Sequence, residues 1–195
     1  MAPPAGRGSA PVDWLIVGLG NPGPAYEHTP HNIGFAVARA LSERFALGRP
    51  KARYRGLLTE GRVGAGGPRV AILMPQTYMN EAGRSVGPAR GELRVAPERI
   101  VVVHDEIDLP FAEIRTRLGG GLAGHNGLKS IRAALGTADF HRVRVGVGRP
   151  DSTDPEIVAA YVLGRFRQGA EEVQALVQAA ADATERLLHE QPAHS

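Results

Sequence analysis

Residues 14–44 read WLIVGLGNPGPAYEHTPHNIGFAVARALSER, and the succession of patterns along them decides the fold. The apolar run Trp14–Val17 has the composition of a buried strand, whereas Ile33, Val37 and Leu41 recur at the spacing of an amphipathic helix. Thr29 suits the cap of that helix and Pro30 its first position, which puts His31 in the first turn. There the positive end of the helix dipole disfavours an imidazolium. A histidine kept neutral is a candidate general base; the alternative is a ring that merely satisfies a backbone group.

Gly18, Gly20 and Gly23 spell GxGxxG after the strand, the outline of a dinucleotide-binding turn. That turn needs a helix that begins at once, and Pro22, Pro24 and Pro30 hold off any regular helix until about Thr29. The glycines read instead as a tight loop that leaves Asn21 at the end of the strand.

Beyond this stretch the alternation continues. Strands are predicted near 13–18, 54–62, 68–74, 99–105, 113–118 and 141–147, and helices near 30–46, 80–90, 126–135, 155–163 and 169–189. The pattern implies the α/β class: a single-domain three-layer α/β/α sandwich around a twisted mixed β-sheet. Segments 54–62 and 68–74 form a hairpin across Gly64, Gly66 and Gly67, and the polar, proline-containing stretch 149–156 is a mobile connection into a lid-like helix. Residues 1–11 read as a disordered tail, 12–190 as one catalytic domain and 191–195 as a C-terminal tail.

Composition narrows the function. The 195 residues contain no cysteine, which removes disulfides, a thiol nucleophile and cysteine metal sites. No apolar run approaches the roughly 20 residues of a membrane span, so no membrane partner is expected. A reducing, cytoplasmic setting fits. Of the 23 basic residues only Lys51 and Lys129 are lysines, and the net charge is +3. Arginine suits forked contacts to phosphate, while the scarcity of aromatic residues argues against a surface that stacks successive bases.

Three more polar positions repeat the topology of Asn21: Asn80 after the strand ending near Met74, Asp105 closing Ile100–Val103, and Asn126 where a glycine-rich loop becomes a helix. In α/β sheets ligands gather beyond the carboxyl ends of strands, so Asn21, His31, Asn80, Asp105 and Asn126 converge on one crevice. Each asparagine alone also reads as an ordinary helix cap. Asp105 is the natural partner of His31, fixing its tautomer and stabilising its charged form. No serine or cysteine has the setting of a nucleophile, which leaves water. The acidic run His104, Asp105, Glu106, Asp108 admits a rival reading as a divalent-metal site, although alternation along an extended segment sends Glu106 and Asp108 away from the side of His31 unless the loop turns. Arg115 with Arg117, and Arg142 with Arg144, each share a strand face; with Lys129 and Arg132 they form either a phosphate clamp or a solvated basic face.

The segments VGLGNPGPAYEHTPHNIGF, MPQTYMNEAG, HDEIDLPFAEIRTRLGGGLAGHNGLKSI and FHRVRVGVGRP, in this order, resemble the bacterial peptidyl-tRNA hydrolase family over residues 14–190. The resemblance implies a monomeric α/β enzyme, free of metal and cofactor, that cleaves the ester between a peptide and the 3′ end of tRNA. It makes His31 the catalytic base, Asp105 its orienting partner and Asn21 a catalytic amide. Tyr26, Tyr78, Asn80 and Asn126 become substrate contacts, and Arg117 and Arg144 ligands of the tRNA 5′-phosphate. Pro30 stands where the family commonly has arginine, and Ala112 and Ala123 where it has glycine. A binding module on the same scaffold, without catalysis, is the rival; the intact His31, Asp105 and three asparagines favour an enzyme.

Overall fold

The computed structural model describes residues 11–190, so the expected tails lie outside the described residues apart from Pro11. Seven strands form one mixed sheet: β1 (Trp14–Gly18), β2 (Lys51–Arg53), β3 (Gly56–Arg62), β4 (Arg69–Pro75), β5 (Ile100–Glu106), β6 (Ile114–Leu118) and β7 (His141–Gly146). Their order is β2-β3-β4-β1-β5-β7-β6. The central four, β4, β1, β5 and β7, run parallel, and antiparallel partners flank them. Among the described residues five α-helices occur, in chain order α1 (Ile33–Arg44), α2 (Gly83–Leu93), α3 (Asn126–Leu135), α4 (Pro155–Leu163) and α5 (Ala170–His189).

The layers follow from alternation along strands that are apolar on both faces. Ile16, Val101, Val103, Val143 and Val145 pack beneath α1 and α5, while Leu15, Val17, Ala71, Leu73 and Val102 pack beneath α2 and α3. All of these strand residues are fully buried. The predicted three layers are therefore present, and among the described residues no helix is long and apolar enough to cross a membrane.

Three local features depart from the sequence expectation. The strand predicted at 54–62 begins at Gly56 and pairs with an unpredicted edge strand, β2, through a two-residue turn. That turn holds Tyr54 and Arg55 at φ 54° and 52°, a left-handed conformation that the sequence does not announce with glycine or asparagine. The helix predicted at 30–46 is a 3-10 turn, Pro30–Asn32, followed by α1. Thr29 is extended and its hydroxyl donates to the Tyr26 carbonyl (2.8 Å), so it does not cap the helix with its side chain. The helix predicted at 80–90 is likewise split, into a 3-10 turn at Met79–Glu81 and α2, which runs on through Pro88.

Gly34 fixes where α1 starts. A Cβ there would lie 2.4 Å from both the Leu19 nitrogen and the Val103 oxygen, so only glycine lets the helix sit on the ends of β1 and β5. The sequence departures also acquire a physical meaning. Ala112 and Ala123 adopt φ 77° and 50°, where a side chain costs roughly 1–2 kcal/mol relative to the right-handed region. Pro30 is buried and opens the 3-10 turn that carries His31.

Candidate active site

β1 and β5 end side by side, and the turn seated on them delivers His31 to the end of β5. Asp105 occupies the parity of Val101 and Val103, the α1 side of the sheet. Its Oδ2 accepts from Nδ1 of His31 at 2.8 Å, with the ring 15% and the carboxylate 3% exposed. The expected pair is therefore present, with Nδ1 carrying the hydrogen and Nε2 left with its lone pair.

Asp105 has a second partner, which the sequence reading passed over as part of the glycine loop. Nε2 of His125 lies 2.8 Å from Oδ1. Nδ1 of the same ring accepts from the backbone N–H groups of Gly127 (3.1 Å) and Leu128 (3.4 Å), capping α3. That cap puts the His125 hydrogen on Nε2, so both carboxylate oxygens receive a donor.

The electrostatics correct one expectation. Burial works against a charge on His31, yet the charge of Asp105 and its hydrogen bond outweigh that, and the ring's pKa lies above the ordinary histidine value. The helix dipole does not hold the ring neutral; a full charge at hydrogen-bond distance exceeds the partial charge of one short turn. Burial also pushes the Asp105 carboxyl up, but His31 and His125 more than reverse it, and the group lies well below the usual carboxylate range. His104 is different: burial, then the neighbouring His125, pull it down to about 3. Its Nδ1 donates to the Asp105 carbonyl (2.8 Å).

Asn21 is buried and stitches two strand-end loops together. Its Oδ1 accepts from the Met79 N–H at 2.7 Å. Its backbone is gripped by Asn32, whose Oδ1 accepts from the Asn21 N–H (2.8 Å) while its Nδ2 donates to the Asn21 carbonyl (2.9 Å). Asn32 reads from sequence as one more residue of a helix, and only the split of that helix frees its side chain for this clamp. Asn80 and Asn126 are exposed and are chain neighbours of Met79 and His125. Tyr26 is half-buried in the turn before Thr29, and Tyr78 is 62% exposed.

The arginines divide into two kinds. In the β6–β7 ladder Arg115 faces Arg144 and Arg117 faces Arg142. Arg142 is buried, stacks over Phe140 (4.7 Å) and donates to the carbonyls of Gly120 (3.1 Å), Gly121 and Ala138 (2.9 Å), which makes it a brace for the glycine loop. Arg115 pairs with Glu113 (2.7 Å). Arg117 and Arg144, neither of which bonds the glycine loop, line a cavity of about 200 Å³ with His104, Glu106 and the bracing Arg142. Arg144 donates twice to one oxygen of Glu106 (2.9 and 2.7 Å), so Glu106 faces away from the carboxylate beside it in the chain, as alternation requires.

The polar atoms of His31, Asp105 and His125 lie within 4.8 Å of one another, a spacing that could hold a cation. Their donor chemistry is against it: two N–H groups already occupy Asp105, and the cap on α3 keeps a hydrogen on the nitrogen of His125 that would have to ligate. The acidic run expected as the rival metal site is also dispersed, since Glu106 binds Arg144 and Asp108 binds Arg149.

The family model described as peptidyl-tRNA hydrolase matches residues 15–195. Peptidyl-tRNA hydrolase of Mycobacterium sp. (strain KMS) is 51% identical over 176 residues, covering 89% of this chain and 90% of its own. That of Mycolicibacterium smegmatis is 49% identical over 177 residues, with 89% and 90% covered. Among solved structures, the crystal structure of peptidyl-tRNA hydrolase from Acinetobacter baumannii at 1.00 Å resolution superposes with a TM-score of 0.76 at 34% identity, covering 93% of this chain and 95% of that one.

Proposed function

The chain belongs to the peptidyl-tRNA hydrolase family, and from that premise we propose that it hydrolyses the ester joining a peptide to the 3′ end of tRNA, with His31 as general base. The observation that carries the assignment is the 2.8 Å contact between Nδ1 of His31 and Asp105, which turns the Nε2 lone pair to the solvent side of the pair. His31 takes a proton from water, and the hydroxide attacks the ester carbonyl carbon. Asp105 stabilises the imidazolium that results. Amide nitrogens of Asn21, Asn80 and Asn126 orient the water and the peptide end and stabilise the tetrahedral oxyanion. The imidazolium then protonates the departing ribose oxygen, which restores the base and closes the proton balance. Tyr26 and Tyr78 flank the peptide. The enzyme acts as a cytoplasmic monomer and needs no cofactor. The test is release of the acyl group from an N-blocked aminoacyl-tRNA compared with the same tRNA bearing a free amine; rapid release of the blocked form is expected, and no release of either would overturn the proposal.

Arg117 and Arg144 hold the 5′-phosphate of the tRNA in the cavity they share. Arg144 reaches it from its pairing with Glu106, while Arg117 has no acidic partner among the described residues. With both replaced by alanine, affinity for 5′-phosphorylated tRNA falls to that for dephosphorylated tRNA, and the slope of log K against log salt flattens by about one to two. An unchanged preference for the phosphorylated form would remove the clamp.

A further inference from the structure

We propose that His125 is a positioning residue that sets the proton affinity of His31, acting through the second oxygen of Asp105. The inference rests on the assignment of His31 as the base and extends it. Four hydrogen bonds, forming three links in series, carry it: the Gly127 and Leu128 N–H groups donate to Nδ1 of His125 (3.1 and 3.4 Å), Nε2 of His125 donates to Oδ1 of Asp105 (2.8 Å), and Nδ1 of His31 donates to Oδ2 of Asp105 (2.8 Å). A carboxylate that accepts a donor at one oxygen has less negative charge to offer at the other, so the His125 hydrogen weakens the pull of Asp105 on a proton at His31. Without that donor, His31 would be protonated over more of the neutral range and would be a poorer base there.

The same bond fixes the plane of the Asp105 carboxylate at two points and ties it to the first turn of α3, which carries Asn126. The charged and titratable groups around the relay are few. Asp105 faces His31 from β5, His125 faces it from the α3 loop with ring centroids 5.4 Å apart, and His104 faces His125 at 5.0 Å. His104, pulled down to about 3, brings no charge of its own at neutral pH.

Two substitutions separate this role from simple helix capping. Asparagine at 125 can accept from the backbone N–H groups as a good cap does, but it is too short to reach Asp105. Glutamine has the reach of Nε2 and can donate to Asp105, but it gives up the cap. His125→Asn keeps the cap but leaves Oδ1 of Asp105 without its donor, so it is expected to lower the melting temperature as well as to raise the titration midpoint of His31, read by NMR of its ring, by about one unit, a tenfold change in proton affinity. The acid limb of kcat/KM against pH moves with it. His125→Gln is expected to lower the melting temperature too but to leave that midpoint in place. The opposite ranking of the two midpoints, or an unmoved His31 midpoint in His125→Asn, overturns the proposal. The unaltered protein supplies an independent check: nitrogen shifts of His125 must report hydrogen on Nε2, and hydrogen on Nδ1 overturns the proposal even if neither variant folds. The ring titration is read on the free enzyme, so a failure of ester hydrolysis would count against the function proposed above and not against this relay.

Discussion

His31→Ala lowers turnover of an N-blocked aminoacyl-tRNA by roughly 10²- to 10⁴-fold and leaves its affinity for tRNA within a few-fold of the parent. The loss is placed in kcat because the proposed base makes its decisive interaction with the water proton in the transition state, whereas the proposed phosphate contacts are at the cavity of Arg117 and Arg144. Asp105 does not become an orphan in this variant, since His125 still donates to Oδ1. The fold should therefore survive, and a melting curve run beside the kinetics separates lost chemistry from lost structure. Single-turnover rates within three-fold of the parent would remove His31 from the mechanism.

Asp105→Asn is expected to be nearly as damaging, roughly 10²- to 10⁴-fold in kcat, and to move the pH profile in a direction that identifies the cause. The amide has one acceptor where the site needs two. If its oxygen faces His31, its NH₂ meets the hydrogen on Nε2 of His125, and the cap on α3 prevents that ring from presenting a lone pair instead. With the carboxylate charge gone, burial alone acts on His31, and the ring's proton affinity falls below the ordinary value. The acid limb of kcat/KM thus shifts to lower pH while the plateau drops. A lower plateau with an unmoved limb would mean that Asp105 positions the ring without setting its charge.

The sign of the stability change follows from the same pair. His31 is raised in the folded protein, so its contribution is complete below the unfolded value of about 6.5 and disappears as pH rises through the folded value. Asp105 is depressed, so its contribution is complete above about 3.9 and disappears only as pH falls through its folded value. The ion pair therefore supports the fold most strongly on the acid side of neutrality, where His31 is protonated. If His31 is the base as proposed, activity is expected to rise as that support is withdrawn.

Much of this architecture is legible in the chain because apolar runs and the four-residue spacing of α1 each admit one reading. The His31–Asp105 pair is legible too, since Asp105 closes one strand and His31 opens the helical segment that follows another, where an α/β sheet gathers its loops. What escapes is of another kind. The β2–β3 turn uses Tyr54 and Arg55 at positive φ, held by the ladder on either side and not by their own propensity. Asn32 and His125 act by bonding backbone groups, and histidine is not among the residues that announce a cap. Arg142 shares its strand face with Arg144, and a period of two cannot tell an arginine bound to loop carbonyls from one bound to a carboxylate.

β5 carries His104, Asp105 and Glu106 in succession, and its ladder with β7 pairs them with Arg144, Val145 and Gly146. Sliding this strand by a single position would exchange the groups on its two sides, taking Asp105 off the side of His31 and Glu106 off the side of Arg144. Removal of any one residue from Ile100–Val103 would therefore break the contact of Asp105 with His31 and that of Glu106 with Arg144 at once, although those four side chains are buried in the apolar core. The apolar half of the strand is a ruler, and the reaction depends on its length as strictly as on the residues it delivers.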